Sequence, residues 1–173
     1  MFTVNIISIK GYTPLQEKFA RAALKKFESA MNSDELKDRM INFSCSLGNT
    51  FESNAGFSNR AIYDILYASA EVYHDVVDNT ADLYLELVQK KKPWPAFLHP
   101  QPEIGYGNHR EKEIYTYSWW LNQAKDWEFA GHIAHELSHK IGFDHTPHPT
   151  PTRKFSVPYA FQEIVESICR NYK

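Results

Sequence analysis

Residues 135–145 read HELSHKIGFDH, and no other stretch restricts the possible folds of this chain as sharply. His135 and His139 are four residues apart. Both imidazoles can serve one metal ion only if the segment is helical, because that spacing puts them one turn apart on a single face. Glu136 follows the first histidine directly, so its carboxylate stands at the edge of the same face, able to meet a water at the metal without ligating it. Gly142 suits the left-handed conformation that ends a helix, after which the chain turns back and His145 approaches from a second direction. Five fixed residues at these spacings arise by accident with a chance below about 10⁻⁶ per starting position, so a surface helix that merely happens to carry histidines is a poor alternative.

Three neutral imidazole nitrogens and one water make an open tetrahedral zinc site of the catalytic kind, with His135, His139 and His145 as ligands. Zinc is the expected cofactor. His132 lies one turn before His135 and is expected beside the site rather than in it, since three ligands already complete it.

The eleven residues match the pattern HExxHxxGxxH in full, and the chain thereby resembles the metzincin zinc peptidases. That resemblance implies an α+β fold in one catalytic domain spanning 1–173. It would have a twisted mixed β-sheet, a backing helix, an active-site helix and a C-terminal helix. The implied activity is that of a zinc-dependent endopeptidase acting on peptide or protein substrates, with Glu136 as general base. Metzincins carry a methionine turn below the metal, whereas no methionine follows Met40 here; residues 156–160, with Val157, Pro158 and Tyr159, stand in roughly its place. By the same resemblance Tyr159 is expected either to stabilise the developing oxyanion or to pack beneath the zinc. The strand over 113–118 is expected either to be the antiparallel edge rail that binds substrate in extended form, or to be an ordinary core strand.

Two other resemblances compete. Glu163 and Glu166 follow HExxH on a later helical stretch, similar to gluzincin peptidases, in which a glutamate is the third ligand; that layout leaves Gly142 and His145 without a role. The run 139–145 is also similar to the zinc metalloproteins of bacterial ribosomal RNA maturation, which would make the chain an endoribonuclease. Those proteins have glycine where Glu136 stands.

Charge decides against nucleic acid. The net charge is −2, with 23% charged residues of both signs interspersed, so no basic footprint for nucleic acid or an anionic membrane is present. A chain of 173 residues buries enough surface to fold without a partner, and a monomer is expected. No apolar run reaches the roughly 18–20 residues of a membrane span, and 1–12 lacks the basic start and apolar core of a signal peptide, so a cytoplasmic location is expected. Cys45 and Cys169 are too few for a disulfide framework and read as two free thiols unless the fold brings them together.

In chain order, the β-branched run 3–9 predicts a strand, and Leu15, Phe19, Ala23, Phe27 and Met31 recur at helical spacing behind the cap pair Thr13 and Pro14. Residues 32–39 read as polar connection and 41–46 as a second strand by alternation. Ser58 or Asn59 caps a helix to about residue 69, and 81–88 alternates Leu83, Leu85 and Leu87 against polar residues as a half-buried strand. Residues 90–107 hold four of the nine prolines and read as a long loop. A strand over 113–119 precedes the histidine helix, which Asn122 or Asp126 caps and whose stripe Ile133, Leu137 and Ile141 is expected to dock on the sheet. The proline-rich stretch 146–156 reads as a rigid cleft wall, and Phe161, Ile164, Val165 and Ile168 predict a C-terminal helix.

Overall fold

The computed structural model of the protein describes residues 1–72, 77–92 and 103–172. Among them six helices surround a mixed four-stranded sheet, an α+β arrangement. Strand β1 (Thr3–Lys10) leads through Gly11 into α1 (Pro14–Met31). Gly11 has φ 77° and lies so close to the Leu87 carbonyl that a Cβ would sit 2.7 Å from its oxygen; only glycine fits. Thr13 and Gln16 form a capping box at the start of α1, and Ala20, Ala23, Leu24 and Phe27 make its buried face.

The expectation for 32–46 fails. Residues Asp34–Ile41 form a second helix, α2, capped by the Ser33 hydroxyl on the Leu36 N–H. Its one buried stripe is Leu36 and Met40, with Asp34, Glu35 and Arg39 turned outward. Phe43 stacks on Phe51 at 4.1 Å instead of joining a sheet. Helix α3 (Asn59–Ala68) starts at Ser58 as expected, and the Asn59 amide donates to the carbonyls of Ile41, Phe43 and Asn49, fastening this non-sheet connection.

Strand β2 (Thr80–Val88) alternates as predicted, burying Ala81, Leu83, Leu85 and Leu87. Strands β3 (Gly105–Tyr106) and β4 (Glu113–Tyr117) complete the sheet in the order β1-β2-β4-β3. β4 runs parallel to β2 and β3 runs antiparallel to β4. The 113–118 stretch is therefore an interior strand, and the antiparallel edge is β3. β4 sits inside because Ile114 and Thr116 face the buried side while its main chain is paired on both edges. Most of the proline-rich 90–107 loop, residues 93–102, lies outside the described residues.

After a single turn, α4 (Ser118–Leu121), helix α5 (Asp126–Lys140) runs through the interior, and α6 (Val157–Asn171) closes the fold. Lys125 occupies the cap of α5, its N–H bonded to Glu128 Oε2 at 2.6 Å, and Asp126 is the first helical residue. Ile133, Leu137 and Ile141 are buried, but α5 packs mainly between α1 and α6 and meets the sheet chiefly at β4, with His132 also close to Gly105 of β3. Every residue from Phe129 to Lys140 is buried. Cys45 and Cys169 are both free thiols. No helix among the described residues is long and apolar enough to cross a membrane.

Candidate metal centre

The end of α5 explains how the third histidine arrives. Gly142 has φ 101°; its N–H bonds to the His139 carbonyl at 3.1 Å, and the Phe143 N–H bonds to that of Ser138 at 2.9 Å. This pair of bonds across a left-handed glycine is a Schellman motif. It reverses the chain within three residues and returns His145 over the face that carries His135 and His139. The His135 Nε2 then lies 3.2 Å from His145 Nε2 and 3.3 Å from His139 Nε2.

Hydrogen bonds set the tautomers. His139 Nδ1 meets the Phe143 carbonyl at 2.8 Å and Asp144 Oδ1 at 3.1 Å; His145 Nδ1 meets the Thr146 carbonyl at 3.1 Å. A carbonyl can only accept, so each Nδ1 carries the hydrogen and each Nε2 presents a lone pair inward. Burial holds all three histidines below the usual imidazole pKa, His135 well below it with His139 and His145 adding to the effect. Converging lone pairs this close repel unless a cation lies between them. A tetrahedral ion with metal–nitrogen bonds near 2.0–2.1 Å holds its nitrogens roughly 3.3 Å apart, which the two separations from His135 match. His135, His139 and His145 are the cluster of ligand atoms that could hold a metal among the described residues. Glu163 is exposed on α6 and Glu166 packs against Gly131, and neither belongs to that cluster, which removes the geometric basis for a glutamate third ligand.

Beside the histidines stands a buried carboxyl. Glu136 is 5% exposed, and burial pushes its pKa up to about 8 against the pull of the Lys140 ammonium and the Gly107 N–H. His132 Nδ1 lies 3.6 Å from Glu136 Oε1, and its Nε2 is 3.0 Å from the Thr116 hydroxyl on β4. His132 is thus beside the site and outside the ligand set, as its spacing implied. Burial lowers its pKa to about 3, so it is a neutral spacer between strand and carboxyl. Lys140 is fully buried, its ammonium donating to the carbonyls of Asn108 and Glu111 at 3.1 and 2.6 Å and to that of Glu113. It clamps the β3–β4 connection over Glu136. Gly107 sits within that clamp, where a Cβ would lie 3.0 Å from Glu136 Oε2.

These groups open onto one cleft of about 710 Å³, lined on one side by Gly105, Tyr106 and Gly107 and on the other by Pro147, Pro149 and Arg153. Residues 156–160 form the entrance of α6, with Ser156 extended at the cap and Pro158 in the first turn. They place the Tyr159 ring 4.6 Å from that of His135 and 4.8 Å from that of His145. Gln162, one turn further, lies beside His135 and favours its charged form. No hydrogen bond of normal geometry joins the two, and the buried His135 Nδ1 has no partner. Sequence reasoning missed Lys140, Gly107, Gln162 and Arg153. The first occupies a variable position of the motif, and the others signal nothing until β3 and α6 converge on the histidines. Comparison with protein-family models, curated proteins and solved structures finds no match.

Proposed function

We propose that the protein is a zinc-dependent endopeptidase of metzincin type, with His135, His139 and His145 as ligands and Glu136 as general base. The observation that carries this reading is the placement of a buried carboxyl, Glu136, in the same cleft as three converging imidazole Nε2 atoms. Zinc held there supplies Lewis acidity toward a peptide carbonyl and lowers the pKa of a coordinated water to about 7. Burial alone raises the Glu136 pKa to about 8; a divalent cation among the three histidines would favour its carboxylate form, which would take a proton from the attacking water and return it to the leaving amine. The Gly107 N–H favours the charged form of that carboxyl, and neutral His132 lies beside it at 3.6 Å. Burial keeps the Tyr159 phenol above its usual pKa, so it stays a hydrogen-bond donor suited to an oxyanion. Endopeptidase action is favoured by β3, which among the described residues has a sheet partner on one side only and lines the cleft; an extended segment can pair with that edge by main-chain hydrogen bonds.

The test is a proteome-derived peptide library digested by the wild type and by Glu136→Gln, with metal content measured on both. Both proteins are expected to hold about one zinc per chain, and the variant to lose hydrolysis by about 10²–10⁴-fold. Equal turnover would remove Glu136 as base. Cleavage of RNA without cleavage of casein in parallel assays would transfer the site to the ribonuclease reading.

A further inference from the structure

The proposed reaction leaves one charged group in the cleft unused. Arg153 is the single Lys or Arg among the described residues lining it, and Glu103, Glu136 and Asp144 line the same cleft. It stands on a 3-10 turn, Arg153–Phe155, fixed between two anchors: the Arg153 N–H bonds to Thr150, and the Phe155 carbonyl accepts from the Glu52 N–H at 2.9 Å. Its guanidinium carbon lies over the Tyr159 ring, 4.9 Å from the centroid, and that ring in turn touches His135 and His145. The cation is thus one side chain removed from the ligands, close enough to oppose a positive charge on His145.

Among the described residues, none of the cleft's carboxyls lies within ion-pair distance of it. Asp144 is held by His139 Nδ1. Glu103 pairs with Lys90 and accepts from the Tyr117 hydroxyl at 2.7 Å. The Arg153 Nε is buried with no hydrogen-bond partner, a state that costs stability until an acceptor arrives. The aromatic face attracts the cation, and the guanidinium's fork of parallel N–H groups matches a carboxylate better than any neutral acceptor.

We propose that Arg153 binds a substrate carboxylate next to the scissile bond, so that the enzyme selects peptides carrying an acidic group at that place; this rests on the peptidase reading above. Two sources present that chemistry, an Asp or Glu side chain within a peptide and the free C-terminus of a chain. The experiment uses four synthetic peptides of one neutral parent sequence: amidated with Asp beside the cut, the Asn counterpart, the neutral peptide as free acid with the cut at its last bond, and its amide. Each is assayed with zinc-loaded wild type, Arg153→Met and Arg153→Lys, with zinc content and circular dichroism checking the fold of each variant.

The wild type is expected to prefer the charged member of one pair by about ten- to a hundredfold in kcat/KM, the range of a charge-assisted hydrogen bond. That ratio should fall close to 1 in Arg153→Met and recover in part in Arg153→Lys. A response in the Asp/Asn pair identifies a side-chain carboxylate; a response in the acid/amide pair identifies the C-terminus. A wild-type ratio near 1 in both pairs overturns the assignment whatever the variants do, as does an equal loss for charged and neutral peptides in Arg153→Met, which would mean a role in the fold or at the oxyanion. If wild type cuts no peptide, the peptidase reading fails. The Arg153 assignment is then judged by calorimetric binding of the same peptides to the zinc-loaded protein, where equal affinity for acid and neutral members overturns it.

Discussion

The two walls of the cleft are built by opposite means. On the sheet side, Gly105 to Gly107 are held from within: Lys140 gathers three carbonyls of the β3–β4 connection, and His132 braces Thr116 against Glu136. On the other side Pro147, Pro149 and Pro151 are exposed, and stiffness comes from their fixed φ instead of buried contacts. The first wall should depend on a few polar groups whose loss is costly, because a buried carbonyl without a donor has no water to turn to. The second should tolerate change at any one position. The wall that touches Glu136 is therefore the fragile one, and the wall that presents Arg153 can vary with little effect on folding.

Lys140→Met should break the difference most severely. It removes the only ammonium from three carbonyls and is expected to cost roughly 3 kcal/mol, read as a lower urea midpoint; a change within about 0.5 kcal/mol would mean that the connection holds itself. Gly105→Ala comes next. A Cβ there would lie 2.2 Å from the Tyr115 carbonyl oxygen and 2.6 Å from His132 Cε1, so β3 must shift, at a cost of about 2 kcal/mol, together with a loss of zinc-dependent hydrolysis.

The brace can be sharpened by pH. His132 has its pKa lowered to about 3 in the folded protein, against about 6.5 unfolded. The unfolded chain therefore takes up the proton first as pH falls; stability is full above about pH 6.5 and drains away toward pH 3. Between pH 7 and pH 5 this group alone should cost the zinc-saturated wild type about 2 kcal/mol. His132→Gln should lose less stability over the same interval, and parallel pH profiles for the two proteins would refute the assignment. The smallest effect is expected on the proline side: Pro149→Ala should change stability by less than about 1 kcal/mol and leave zinc content unaltered.

The histidine cluster was legible because its geometry is local. Four residues of helix, a glycine that must go left-handed and three more residues fix His135, His139 and His145 without help from the rest of the chain. Helices α1, α3, α5 and α6 and strands β1 and β2 were legible for the same reason, each carrying its own cap or its own period. Helix α2 was not, because Leu36 and Met40 are too few to print a helical stripe, although Ser33 followed by Asp34 and Glu35 was a usable start signal. The identity of the edge strand was hidden more deeply. β3 has two residues, shorter than any pattern, and its place beyond β4 depends on a lysine in a distant helix. Arg153 and Gln162 acquire meaning only when α6 is laid against α5.

Lys140 also bears on how this site can drift. The pattern that defines the site leaves the place after the second histidine open to any residue, yet here that residue faces away from the metal and carries the far wall of the cleft. A variant that keeps every ligand, the base and the glycine, but exchanges this lysine, would still satisfy the pattern while losing the shape of the groove. In this chain the interval between the clustered histidines shapes a wall of the cleft, so changes in the shape of the groove and in the histidine cluster can arise from the same helix at adjacent residues.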